Sequence, residues 1–293
     1  MKKIITFLFL LNFTLISVAA TYTSIGNGNW NNAAIWNPQG IPDVGDNVII
    51  SSGNTIVVSS SQITNNLTVN QGGTLTMQAS RQLTILGDLT VNGFFTMNDG
   101  NISFPTPGNN FTIGPAGSFT WQPGNNTAAD ASLFINGVEN FAPSSTLIIK
   151  KWFNYMAMPL GSVVTGNFGN LILNSKSGNV VYEWNQNNEF ATHQILGTLT
   201  IEEGWITLDK SSSISNVTIG NIVLNTPNAY LIFHNGSHPS AVTINTSSIQ
   251  NNGGTLWGIY NGNGNLNLNV AGNFTNSGNV KLIYNDGIPG VGL

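Results

Sequence analysis

The 293-residue chain carries 7% charged side chains, with 8 Lys and Arg, 12 Asp and Glu and no cysteine. Soluble domains ordinarily hold about 25% charged residues; here 45 asparagines and 33 glycines stand in their place. This balance excludes a helical protein, which needs abundant Ala, Leu, Glu and Lys, and a basic nucleic-acid binder. It also excludes a disulfide or zinc-cysteine framework, and 41% hydrophobic content excludes a disordered chain.

Residues 1–20 form the first predicted element. Lys2 and Lys3 precede an apolar run from Ile4 to Ile16, and Val18-Ala19-Ala20 supplies small residues for cleavage. This is the pattern of a secretory signal peptide, and the run is shorter than the roughly 20 residues that span a bilayer. Removal takes two lysines and changes the formal charge from −4 to −6. The chain is therefore expected to be exported by a bacterium, since exported proteins elsewhere favour disulfides.

Residues 21–65 are expected to hold an N-terminal cap and the first coils, and residues 66–150 a regular repeat. Leu67, Leu89, Phe111 and Leu133 are spaced by 22, as are Val69, Val91, Ile113 and Ile135. A third column at the same spacing is Leu75, Met97, Phe119 and Phe141. Each copy alternates apolar and polar residues around Gly- and Asn-rich turns, the pattern of short strands with one buried face. Leu83-Thr84-Ile85 and Leu147-Ile148-Ile149 read as a third strand of the coil. Three strands and three turns in 22 residues predict an all-β, right-handed parallel β-helix. A β-sandwich is the competing architecture and would not align columns at constant spacing.

The segment Lys150–Pro159 gathers Trp152, Phe153, Tyr155, Met156 and Met158 and breaks the pattern. Residues 151–170 are read as a loop or seam, and residues 171–293 as less regular coils. Alternating runs recur there at Leu171–Leu173, Leu199–Ile201, Ile206–Leu208, Val217–Ile219, Val242–Ile244 and Leu266–Val270. Roughly a dozen coils, stacked ~4.8 Å apart, would make a rod about 55 Å long. At that distance like charges repel while Asn and Thr ladders hydrogen-bond, which accounts for the composition. Asn and Gly are also expected at corners that need left-handed backbone angles.

The stretch Trp30–Met77 resembles the eight-glycine domain and related β-helix openings of bacterial surface proteins. The resemblance rests on Trp30, Trp36, Gly40, Pro42, Gly45-Asp46, Val48–Ile50, Gly53, Ile56–Val58 and Gly73. It implies that Trp30 and Trp36 cap the first coil. The remainder, in phrases such as Gly197–Leu208 (GTLTIEEGWITL) and Ala271–Val280 (AGNFTNSGNV), resembles adhesin-like rods exported by the type IX route. Those rods usually end in a sorting domain, and its absence here reads as truncation.

Candidate sites are few. Asp43 and Asp46 could hold calcium, but Gly-Asp entering a strand more often makes a turn. Glu202 and Glu203 are adjacent and so cannot face one groove as a catalytic pair. A polysaccharide lyase or hydrolase on this scaffold would draw on Arg81, Lys176 or Lys210 with Glu183, Glu189 or Asp209. No spacing unites them. His234 and His238 lie in a segment read as a turn, which disfavours metal binding. Trp121, Trp152, Tyr155 and Trp184 are the candidate binding residues, with Trp205, Trp257 and Tyr260 as further aromatic faces for sugar stacking. Rows of Thr-x-Thr, as an ice-binding surface requires, begin at Thr74 and Thr76 but are read as failing at Asn98. The expected function is a secreted or cell-surface module that binds glycan or another cell without catalysis and without cofactor, nucleic acid or a transmembrane segment. The enzyme reading is the alternative, and a pure spacer a third.

Overall fold

The computed structural model describes residues 19–122, 138–150, 167–174, 181–182, 194–208, 216–235, 241–260 and 264–284. Within them the chain winds as an all-β solenoid, each coil laying its strands parallel to those of the coil before it. The first sheet stacks Thr21–Ser24, Asn47–Ile50, Leu67–Val69, Leu89–Val91, Asn110–Ile113 and Val138–Phe141. Trp36–Asn37 is added to its first strand antiparallel. The second sheet begins at Gly28–Asn29 and Thr55–Val58 and threads eleven strands in series to Asn265–Val270. These eleven layers span about 48 Å at ~4.8 Å per step.

The third side changes along the rod. In the N-terminal half it is a small sheet of Gln62–Thr64, Gln82–Ile85 and Asn101–Ser103. Toward the C-terminus the first two sides merge into long strands, Ile195–Thr207, Asn216–Leu224 and Ala241–Asn251. There the third side is built from Gly204–Thr207, Ala229–Asn235, Thr255–Tyr260 and Asn279–Tyr284. Period-two alternation places Leu67, Val69, Leu75, Met77, Leu83 and Ile85 inside the coil with no exposed surface. Each such side chain contributes about 1.5–3 kcal/mol by leaving water.

The registers confirm part of the 22-residue frame and correct the rest. Leu67, Leu89 and Phe111 stack directly, as do Val69, Val91 and Ile113. Leu133 and Ile135 lie outside the described residues, and the next partners are Glu139 over Phe111 and Phe141 over Ile113. In the second sheet Leu75 pairs with Phe95, Phe95 with Phe119 and Phe119 with Leu147. Met97 instead stands between Met77 and Trp121. The cause is turn length: Asn70–Gly73 separates the strands of one coil, but only Asn92–Gly93 those of the next. A shift of two residues keeps the same side chains inward, so alternation cannot detect it. Leu147–Ile149 accordingly belongs to the second sheet, not to a third strand.

Two columns explain the glycine and asparagine content. Gly73, Gly93, Gly117, Gly169, Gly197 and Gly220 recur at the corner between the first two sides. A Cβ on Gly93 would lie 2.3 Å from the Asn70 carbonyl oxygen, and one on Gly117 2.0 Å from that of Val91. These glycines are required by the close approach of successive coils, not by a left-handed backbone. Among the described residues the non-glycine positions with positive φ are Ser80 and Asp99, so asparagine does not serve that purpose. Asparagine builds ladders. Asn66 Nδ2 donates to Asn47 Oδ1 at 2.8 Å, and Asn66 Oδ1 accepts from the Asp88 amide at 2.7 Å. Asp88 Oδ1 then accepts from the Asn110 amide at 2.8 Å, and Asn110 Oδ1 from Asn140 Nδ2 at 2.9 Å.

The N-terminal end is closed by Trp30 and Trp36, buried to 0% and 1% exposure with rings meeting edge to face at 5.4 Å. Trp36 Nε1 donates to the Trp30 carbonyl at 2.8 Å. No helix among the described residues is long and apolar enough to cross a membrane.

Candidate aromatic binding face

The residues singled out from sequence separate once placed. Trp121 is 1% exposed and stands in an interior column between Met97 and Ile149. Its parity on the strand Ser118–Gln122 turns it inward, so it packs the core and presents no face to a ligand. This corrects its reading as a binding residue. Trp152, Tyr155 and Trp184 lie outside the described residues, as do Lys176, Glu183, Glu189, Asp209, Lys210 and His238.

Trp205, Trp257 and Tyr260 come together with Tyr230, a residue that carried no signal of its own in the sequence. The strand pairing sets Trp205 against Tyr230 and Ile232 against Trp257. Trp205 lies 5.0 Å from Tyr230 and 4.9 Å from Trp257 between ring centroids, the latter edge to face at 89°. Tyr260 stacks on Trp257 at 5.2 Å with only 20° between planes. Lys281 Nζ stands 5.8 Å over the Trp257 ring, within the range of a cation–π contact.

The cluster belongs to the outer side of the solenoid. Ile206, Leu231 and Leu256 alternate with Trp205, Tyr230 and Trp257 and belong to the continuous interior core, whereas the aromatic residues do not. Trp257 is 4% exposed and buried among its neighbours, whereas Trp205, Tyr230 and Tyr260 are half-buried and keep part of their surfaces open. Successive coils step by ~4.8 Å, and the four layers from Trp205 to Lys281 therefore extend about 14 Å along the rod.

Titratable groups are scattered. Asp46 Oδ1 accepts from the Ala20 amide at 2.9 Å and Oδ2 from the Asp43 amide at 3.0 Å. Asp43 Oδ1 accepts from the Val44 amide at 2.7 Å. Both carboxylates thus order a turn at the entry of Asn47–Ile50. Glu202 accepts from Asn174 Nδ2 at 2.7 Å, and its carbonyl accepts from the Thr226 hydroxyl. His234, expected in a turn, is a fully buried member of the strand Ala229–Asn235. A Cβ on Gly264 would overlap its imidazole. Among the described residues no three of His, Asp and Glu gather closely enough to hold a metal ion.

Glu139 is a position that sequence reasoning missed. It is 1% exposed, and neither carboxylate oxygen has a hydrogen-bond partner. Burial pushes its pKa up to about 7, only partly offset by the dipole of its own backbone amide. The available signal was parity: Phe141 is apolar and inward, so the residue two before it shares its side.

The threonine rows are also re-registered. Thr76 pairs with Thr96 and Thr96 with Thr120, while Asn98 pairs with Gln122 outside that row. The row is interrupted instead at Ile148, the partner of Thr120.

Residues 21–104 match the family model of a domain of unknown function (DUF8693). The match covers the tryptophan cap and the coils up to Phe104, and stops well before the aromatic face. No curated protein and no solved structure matches the chain.

Proposed function

We propose that this β-solenoid is an exported, non-catalytic adhesive module that binds glycan through the face formed by Trp205, Tyr230 and Tyr260 around the buried Trp257. The supporting observation is the convergence of four aromatic rings from three successive strands on the outside of the rod, where packing of the interior does not require them. Aromatic rings offer flat apolar surfaces with a polar edge, which suits the C–H face of a pyranose. The Lys281 ammonium and the hydroxyls of Tyr230 and Tyr260 would supply polar contacts at the rim.

The low charge supports binding over catalysis, because hydrolysis or elimination at a glycosidic bond needs positioned acid and base groups. The pattern of the first twenty residues supports export, with display at the outer cell surface or release from it.

A glycan array and a cell-attachment assay with the chain from Thr21 onward test the reading. Binding is expected, and Trp205→Ala and Tyr230→Ala should each weaken it at least tenfold while the far-ultraviolet circular dichroism is retained. Absence of binding in both assays, or binding untouched by either substitution, overturns the proposal. Turnover of uronate polymers would transfer the case to an enzyme.

A further inference from the structure

The corner between the first two sides is not uniform along the rod. Four residues cross it at 51–54, 70–73, 114–117 and 142–145, but only two at 92–93. The strands on either side stay in step: Val91 pairs with Val69 and Ile113 before the corner, and Phe94 with Thr74 and Ser118 after it. The short turn therefore cuts a notch between the longer turns of the coils below and above. Those two turns are two steps apart, and the gap between them is the ~4.8 Å of one absent layer. The notch is a cleft of about 510 Å³ lined by Asn70, Gln71, Asn92, Pro115 and Ala116, within the size range of small-molecule sites.

Its polar groups are not committed to the fold. Corner asparagines elsewhere are: Asn54 Nδ2 donates to the Ser24 carbonyl at 2.8 Å, and Asn170 Nδ2 to that of Ser145 at 3.2 Å. Among the described residues the carboxamides of Asn70, Gln71 and Asn92 have no hydrogen-bond partner. Asn92 Oδ1 is nevertheless fixed in place, because a Cβ on Gly114 would lie 2.0 Å from it. The backbone beside the absent layer is unmatched as well. Gly53 N–H donates to the Gly72 carbonyl of the next coil at 2.9 Å. Gly72 holds the same place in its own turn, with φ of 79° against 78° at Gly53. Its N–H is thus turned toward the missing layer, and it has no acceptor among the described residues.

We propose that this notch binds one ring of a neutral saccharide, independently of the aromatic face. Carboxamides and a backbone N–H are donors and acceptors that match sugar hydroxyls. The exposed Pro115 ring and Ala116 methyl supply an apolar wall for the C–H face of the sugar. No charged side chain lines the cleft, so an ionic ligand would find no counter-charge there. Two absent residues correspond to ~6.6 Å of chain, which admits a single pyranose ring and is too short for an added peptide strand. Gln71, Pro115 and Ala116 stand at the surface, so neighbouring sugars of a longer glycan continue into solvent.

Amide nuclear magnetic resonance of the chain from Thr21 onward, titrated with cellohexaose, mannohexaose and chitohexaose, tests this. The Gly72 amide resonance should shift with at least one of these sugars. Gln71→Ala should weaken that binding about fivefold, the effect of one hydrogen bond; the side chain is exposed and unbonded, so folding is retained. Inserting Asn-Gly between Asn92 and Gly93 lengthens the turn to match its neighbours, fills the notch and should abolish the shift. The shift should persist in Trp205→Ala, which separates this site from the aromatic face. The proposal is overturned by a Gly72 resonance that responds to none of the neutral sugars or to oligogalacturonate alone. Loss of the shift in Trp205→Ala, or unchanged affinity in Gln71→Ala and in the lengthened turn, overturns it as well.

Discussion

Glu139 stands directly over Phe111 in the stack, the two residues paired across adjacent strands of the first sheet. The column below is Leu67, Leu89 and Phe111, all fully buried, and the carboxyl that extends it has no hydrogen-bond partner. A charge in that position would face aromatic and aliphatic carbon, so the group is held neutral to about pH 7.

The stability of the protein should therefore depend on pH through this residue. Below pH 4.5 the carboxyl is neutral in both folded and unfolded chains and costs nothing in ionisation. Between 4.5 and about 7 the unfolded chain ionises while the folded one does not, so stability falls as pH rises, by about 3 kcal/mol in full. Urea unfolding at pH 4, 6 and 8 should show the decline. Glu139→Gln should flatten it, and Glu139→Leu should both flatten it and raise stability at pH 8. An unchanged slope in Glu139→Gln would count against the assignment.

Gly117→Ala should destabilise by about 1–3 kcal/mol, the usual cost of overpacking. The added Cβ would fall 2.0 Å from the Val91 carbonyl oxygen, so the coils must move apart. Gly26→Ala is the control, because nothing lies within 4 Å of its added Cβ. Thermal unfolding of the two variants side by side decides the matter: equal midpoints would refute the corner-contact account.

Trp36→Ala should cost about 3–5 kcal/mol from lost burial, and it should uncover the first coil. Binding of a hydrophobic dye and a rise in aggregation with concentration are the expected signatures. Trp36→Phe keeps most of the ring area and loses the hydrogen bond to the Trp30 carbonyl, so it should cost only about 1 kcal/mol.

Asn66→Ala removes a donor to Asn47 and leaves the Asp88 amide without its acceptor. The expected loss is about 1–3 kcal/mol by chemical denaturation. It should be insensitive to salt, because the Asn66 rung donates from one neutral amide to another. A loss that vanished at high salt would show that charge, and not amide pairing, holds this corner.

The fold was largely legible because stacking imposes a rule on every coil. Inward positions must be apolar, and low charge with abundant Asn, Gly and Thr is the residue of that rule. The cap was legible too, since two tryptophans before the first regular coil have no other role in a pattern of small residues. The candidate site was only partly legible. Trp205, Trp257 and Tyr260 could be noted as aromatic, but Trp121 was equally aromatic, and parity on a strand with known register was needed to turn it inward and the others out. Tyr230 had no distinguishing context until the strand Ala229–Asn235 was paired with Ile195–Thr207.

The sequence by itself determined the all-β class, the parallel stacking and the apolar columns of the first coils, because period-two alternation and recurring turns are local. The tertiary structure alone decided register, since a slip of two residues leaves every inward side chain inward. It was therefore the length of turns such as Asn92–Gly93, and not hydrophobic pattern, that placed Glu139 over Phe111, moved Leu147–Ile149 to the second sheet and carried the threonine row through Thr96. The low charge that first served to exclude other folds has a specific structural form: amide ladders and glycine corners that ~4.8 Å stacking requires.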